Sequence, residues 1–282
     1  MTKKSIADQG PLLINENDLS IAWAKALLHL VDHSGNEISP LIVSITGFDE
    51  QGKSAENASI RNTLDSVLVQ QGHYKVEDVA FTIFPERIWR LAKGNRTKLF
   101  AMYKDVFPRY QAMNKAANRR GLYFERLTSY GRGRCDGNQL EWMLSQFESR
   151  TGVRHSMYQA SIFDPERDHI PDARLRFPCL QHLSFEPTAN GLIVNAFYAT
   201  QQILIKGYGN YLGIAQLGAF MAHEMKMPLI RVNINVGVAK LGIAKTDPAL
   251  APLLAAARAC IEHRLPLTEV SANAMAALDI EK

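Results

Sequence analysis

Residues 211–225 are apolar on nearly every side of a 3.6-residue helix. A helix of that kind has no face to give to solvent, so other elements must enclose it. The stretches on either side, 192–205 and 229–238, carry the alternation and β-branched content of strands. The helix is too short and too interrupted to cross a bilayer. It therefore demands a core wide enough to surround it, with sheet on one side and further elements on the other. A chain of 282 residues can build that core once, alone or with an insertion.

Further segments supply the enclosing layers. Ile21, Ala24, Leu27, Leu28 and Val31 recur at helical spacing within 18–31, and Gly35 marks a stop. Residues 41–45 predict a strand and 49–54 a polar turn. Ile60, Leu64, Val67 and Leu68 predict a second helix ending near Gly72. Residues 76–134, broken by Phe84-Pro85 and Phe107-Pro108, predict short helices and loops. A helix is expected over 140–147 and strands over 156–163 and 183–186, the last joined to 192–205 through Ala189-Asn190-Gly191. An amphipathic helix over 249–263 closes the chain. Long strands adjacent in sequence, with helices that do not alternate with them, favour α+β over a doubly wound sheet. The expectation is a single domain over 1–282 with a helical and loop insertion at about 76–120.

A net charge of +4 suits an anionic ligand such as a nucleotide without demanding a nucleic-acid partner. The three cysteines, Cys135, Cys179 and Cys260, form no CxxC pair. Neither a zinc knuckle nor a disulfide framework is expected, and reduced thiols of a cytoplasmic protein are. The basic start, Met1 to Ser5, is followed by no apolar stretch of signal-peptide length. His223-Glu224 could begin a metal site but lacks a partner, and no metal is expected.

Among the cysteines, Cys179 is the candidate nucleophile. It follows Phe177-Pro178 at the entrance to a predicted strand, and Arg174 and Arg176 stand close enough in sequence to lower its pKa. Taken alone, a Pro-Cys pair describes an inert strand start equally well. Its surroundings decide between the two. Tyr130-Gly131, Gln139-Leu140, Arg154 and Phe163-Asp164-Pro165 precede it in order. A hairpin, Tyr198-Ala199-Thr200-Gln201, a glycine-rich turn with Asn210, and Ile214-Ala215 come after it.

This ordered series, covering about 120–240, resembles the thymidylate synthase and pyrimidine-nucleotide hydroxymethylase family. The resemblance implies a layered α+β fold with a large mixed sheet flanked by helices, and a homodimer formed through sheet faces. It implies one-carbon transfer, giving a methyl or hydroxymethyl group, to C5 of a pyrimidine nucleotide, with 5,10-methylenetetrahydrofolate as cofactor. Cys179 would add to C6 and so make C5 nucleophilic. Asn210 matches the asparagine that reads the base, and its amide suits uracil because it can donate to O4 and accept from N3–H. As a lone residue it could equally be a helix N-cap. Asp65 stands nearest to the family's glutamate and Tyr130 matches its Tyr-Gly, so both are candidates for proton handling. Arg154 matches one of two arginines that cross the dimer. With Arg176, Thr200 and Gln202 it completes the candidate substrate contacts.

The sequence departs from the family where phosphate and sugar are held. The family's Tyr-Gln-Arg-Ser is Tyr198-Ala199-Thr200-Gln201 here, with no arginine, and His155 replaces the second crossing arginine. Leu180 follows the cysteine in place of a histidine, and Val238-Ala239-Lys240 stands for the late His-x-Tyr. Thr or Gln cannot substitute for a bidentate arginine. Three rival readings therefore stand beside the enzyme. Gly207, Gly209 and Gly213 form a GxGxxxG run after a strand, weakly like a dinucleotide turn. Arg119, Arg120, Arg126, Arg132 and Arg134, interleaved with Tyr123, Phe124 and Tyr130, could track single-stranded nucleic acid. A protein that keeps the fold, has lost the reaction and binds a nucleotide or nucleic acid is the third. Trp89 lies where a base or folate could stack, although packing is its plainer role.

Overall fold

The computed structural model describes residues 10–33, 35–118, 120–131, 133–171 and 178–262. Its strands are β1 (Leu12–Glu16), β2 (Glu37–Ile38), β3 (Leu41–Ile45), β4 (Gln159–Ser161), β5 (Leu180–Thr188), β6 (Gly191–Gln202) and β7 (Leu229–Lys240). Among the described residues these make one seven-stranded sheet in the order β1-β3-β7-β6-β5-β4, with β2 pairing on β7. The sheet is mixed: β1 runs parallel to β3 and β6 parallel to β7, while the other pairs are antiparallel. The molecule is thus an α and β protein, as the strand and helix patterns predict, with a large mixed sheet flanked by helices, as the resemblance implies.

The helices are α1 (Leu19–Asp32), α2 (Ala58–Gln70), α3 (Val76–Phe81), α4 (Glu86–Ala92), α5 (Arg96–Met113), α6 (Lys115–Asn118), α7 (Tyr123–Thr128), α8 (Gln139–Ser149), α9 (Pro165–Asp168), α10 (Tyr208–Glu224) and α11 (Leu250–Glu262). Side-chain caps start several of them. Asp18 accepts from Ile21 N–H at 3.1 Å, and Asn57 accepts from Ser59 and Ile60 at 2.9 and 3.2 Å. The inner sheet face is carried by alternate residues: Val43, Ile234 and Ala196 lie in register across β3, β7 and β6 and are buried.

The all-round apolar helix is α10, and its position explains its composition. It lies between β6 and β7 on one side and α3 on the other, with α1 alongside. Two of its glycines exist for that approach. A Cβ on Gly209 would stand 2.6 Å from Val79 Cβ and 2.7 Å from the Val76 carbonyl, and one on Gly213 would stand 2.8 Å from the Ala80 carbonyl. These glycines let α3 dock backbone to backbone, which leaves no room there for a pyrophosphate. The dinucleotide reading of the GxGxxxG run is thereby corrected.

β1 and β2 lie where no strand is expected, β5 is longer than the 183–186 expected, and further elements differ in form. The strand expected over 156–163 is only Gln159–Ser161, because His155–Met157 form an exposed 3-10 turn with no apolar face to bury. The strand expected over 192–205 stops at Gln202, and Ile203–Gly207 form a π-helical turn. There the backbone finds partners outside the ladder: the Trp23 indole donates to the Ile203 carbonyl at 2.7 Å, and Leu204 N–H donates to Leu241 O at 3.1 Å. Within 76–134, α5 runs for 18 residues despite Pro108, longer than the short helices expected.

Candidate functional site

Cys179 sits immediately before β5, half-buried, and its carbonyl accepts from Ala199 N–H of β6 at 2.9 Å. The β5–β6 register shifts just beyond it, so that Leu180 opposes Tyr198 while His182 opposes Phe197. The extra residue lies on β5, while the alternation of β6 continues unbroken and turns Tyr198 inward, leaving Phe197 on the outer face, 45% exposed. Burial pushes the Cys179 thiol up from its ordinary value, and the ammonium of Lys206 opposes that shift. Burial in turn pushes Lys206 down, and Cys179 opposes. Lys206 belongs to the π-helical turn and lies half-buried, its Nζ 5.3 Å from the centroid of the Tyr74 ring.

Three phenols complete the cluster. The Tyr123 hydroxyl, from α7, lies against the backbone of Cys179 and Leu180; burial and then the neighbouring thiol push it up. Tyr198 is raised well above 10.0, by burial first and then by Tyr123, Cys179 and Tyr211. Tyr211, on the first turn of α10, is raised by burial. Neither the Tyr198 nor the Tyr211 hydroxyl has a hydrogen-bond partner among the described residues, and both rings are 0% exposed. Gln201, two residues after Ala199, is 1% exposed with both amide atoms unpartnered. Buried phenols and amides are ordinarily paired, and leaving one unpaired costs about 1–3 kcal/mol. An orphaned donor beside a thiol, as Tyr198 is, suits a polar guest that accepts from it.

The other candidate residues do not share one environment. Asn210 precedes Tyr211 on α10 and is 4% exposed. It is not a helix N-cap, since α10 continues from the π-helical turn with Gly207 already at helical φ and ψ. Thr200 and Gln202 lie on β6 near the cluster, but the Thr200 hydroxyl donates to the Val238 carbonyl at 2.9 Å and Gln202 is exposed. Tyr130 and Asp65 have structural partners. The Tyr130 hydroxyl donates to Phe163 O at 2.8 Å, and burial pushes it up. Asp65 accepts from the Val76 N–H at 2.8 Å, so capping α3 from α2, and from Arg61 Nε at 3.4 Å. Arg154 is exposed before the 3-10 turn. Arg176 and Arg174 lie outside the described residues.

Sequence reasoning did not single out Lys206 or Tyr211 as site residues, and it placed Tyr123 only in the nucleic-acid reading. Lys206 alone left a signal, being the one cation in the apolar run from Ile203 to Gly207. The basic and aromatic stretch near 119–134 does not form a described binding surface. Phe124 is 0% exposed, and Arg126 is buried against Asp168. Arg119 and Arg132 lie outside the described residues. Trp89 packs edge-on against Phe220, with centroids 5.0 Å apart, and Glu224 bonds Arg96 at 3.0 Å. A cleft of 220 Å³ between α3, α4 and α10, bounded by Glu86, Arg87 and Gln216, does not include Cys179. Nor does a second of 410 Å³ beside Tyr158 and Met227. No protein-family model matches the chain, and no curated protein matches it in sequence.

Proposed function

We propose that the protein transfers a one-carbon unit to C5 of a pyrimidine nucleotide, beginning with addition of the Cys179 thiolate to C6. One observation carries this reading: a half-buried thiol beside a lysine and the buried, unpartnered hydroxyl of Tyr198, which in turn neighbours the unpartnered hydroxyl of Tyr211. Addition at C6 pushes negative charge toward the base carbonyls, and fixed donors in a dry site stabilise such charge most strongly. Tyr198 and Tyr211 are such donors. Asn210 adjoins Tyr211 in sequence, and its amide both donates and accepts, as a uracil edge requires. Further support comes from β6 and β7. Thr200, Gln201 and Gln202 pair in parallel with Val238, Ala239 and Lys240, so the segments matched to the family's phosphate and sugar contacts are neighbours.

In the family that the sequence resembles, methylenetetrahydrofolate supplies the one-carbon unit. The residues expected to meet it do not form a cradle here. Asp65 caps α3 and Trp89 packs against Phe220. The chain's own residues act toward the pyrimidine. The same reading implies a homodimer through the outer sheet face, with the exposed Arg154 able to reach a partner.

The test is tritium release from C5-labelled uracil and cytosine nucleotides, with and without methylenetetrahydrofolate. Wild type should release label to water from a uracil nucleotide, and Cys179→Ala should not. Release that survives in Cys179→Ala overturns covalent addition, and the absence of release from every nucleotide overturns the enzyme reading.

A further inference from the structure

Away from Cys179, the 410 Å³ cleft beside Tyr158 and Met227 gathers polar groups that have nothing to bond. Four stretches of chain build it. The last turn of α8 and the residue after it give Phe147 and Arg150, and the 3-10 turn gives His155 and leads into Tyr158. The end of β5 gives Thr188, and the turn after α10 gives Met227. Tyr158 is fixed in place. Its carbonyl accepts from Phe185 N–H at 2.9 Å, and its ring meets Phe147 edge-on, with centroids 6.0 Å apart. The cleft's volume falls within the range of about 300–1,000 Å³ typical of small-molecule sites.

Tyr158 is only 2% exposed, yet its hydroxyl makes no hydrogen bond among the described residues. Buried phenols ordinarily have a partner. Burial pushes this one up, so it stays protonated and able to donate. The Thr188 hydroxyl, by contrast, is already used, donating to Gly191 O at 2.7 Å and accepting from Asn190 N–H at 3.2 Å. The side chains of Arg150 and His155 also lack partners among the described residues, and no carboxylate of those residues lines the cleft. An unpaired guanidinium, an imidazole and an orphaned phenol thus border a space walled by aromatic and thioether groups.

We propose that this cleft binds a small aromatic carboxylate, its ring against Phe147, Tyr158 and Met227 and its acid group held by Arg150, His155 and the Tyr158 hydroxyl. A guanidinium fork matches a carboxylate with two parallel bonds. The phenol supplies the further donor that a carboxylate oxygen has room to accept. Edge-to-face contact suits an aromatic guest beside Phe147 and Tyr158, and the Met227 sulfur adds a soft, polarisable wall. One arginine balances a monoanion, whereas a phosphate near neutrality carries about −1.5 to −2. None of the residues that line the cleft belongs to the Cys179 cluster, so the site stands apart from the pyrimidine reading and does not rest on it.

Calorimetric titration of the full-length chain with naphthoate, and with the neutral naphthamide, tests the proposal. Wild type should bind naphthoate once per chain with a Kd below about 1 mM, and at least about tenfold more tightly than the amide. Arg150→Gln should weaken naphthoate about tenfold. Tyr158→Phe, which keeps the ring and removes only the hydroxyl, should weaken it about threefold. Cys179→Ala should bind as wild type does. Thermal melting of each variant confirms that it is folded. No binding by wild type, or equal affinity for acid and amide, overturns the proposal. So does unchanged affinity in folded Arg150→Gln and Tyr158→Phe, and so does loss of binding in Cys179→Ala, which would put naphthoate at the thiol. Uridine monophosphate that displaces naphthoate from Cys179→Ala at lower concentration than benzoate does would overturn the choice of a carboxylate. The titration reads no C5 exchange, so either result can fail while the other stands.

Discussion

Arg126 and Asp168 show what a single residue can and cannot reveal. Both are 1% exposed, and the guanidinium meets the carboxylate through two bonds of 2.7 and 2.8 Å. Arg126 also donates to Ile162 O at 2.8 Å and to Arg120 O at 2.9 and 3.1 Å. Burial alone would raise the Asp168 carboxyl. The Arg126 bonds outweigh it, aided by the Asp164 backbone, and hold it below its ordinary 3.8. Asp168→Asn leaves a buried cation without its counter-charge and should cost about 3–5 kcal/mol in urea unfolding. A carboxyl held lower in the folded state stabilises above its unfolded value of about 4. That contribution is lost as pH falls through the lower folded value, so wild-type stability should decline below about pH 4 and the Asp168→Asn variant should show less of that decline. In sequence Arg126 belongs to a basic, aromatic stretch that suggests nucleic acid. Its partner lies in α9, too far along the chain for any local pattern to reveal.

At the scale of an element, α10 carries the clearest conflict between propensity and packing. Alanine is the better helix former than glycine by about 1 kcal/mol. At Gly209, however, the added Cβ would meet Val79 Cβ at 2.6 Å and the Val76 carbonyl at 2.7 Å, and a backbone carbonyl cannot step aside as a side-chain end can. Overpacking of this kind costs about 1–3 kcal/mol, so Gly209→Ala should be net destabilising in urea unfolding despite its propensity gain. A gain in stability would mean that α3 does not approach so closely. The existence of α10 is dictated by its apolar repeat, whereas the purpose of its glycines is not: the same spacing serves a phosphate turn or a docked helix. The π-helical turn before it was legible only as the end of a strand. Its form depends on Trp23 and Leu241, which no reading of residues 203–207 contains.

On the scale of the whole molecule, the sheet has two unlike faces. The inner one is apolar, while the outer one carries a polar row. Ser44, Asn233, Asn195 and Ser184 stand in register across four strands. Asn233 donates to Asn195 at 2.8 Å, and Asn195 donates to Ser184 at 3.2 Å. Phe197 stands on this face, with its register neighbours Asn235 and His182. In the proposed homodimer the face meets its copy, and a charge at its aromatic position opposes burial. The wild type should sediment as a dimer, and Phe197→Glu should weaken association at least about tenfold, the equivalent of about 1.4 kcal/mol. A wild-type monomer at high concentration removes the dimer from the reading.

The sequence by itself determined where the main helices and strands lie, because their periodicities are local, and it determined that one helix must be enclosed. It singled out Cys179 and Asn210 by their order along the chain. Tertiary structure alone decided what surrounds the thiol. Tyr123 comes from α7, Tyr198 from β6, Lys206 from the π-helical turn and Tyr211 from α10, four elements separate in the chain. Electrostatic coupling and orphaned hydrogen bonds depend on distance in space, and distance along the chain does not encode them.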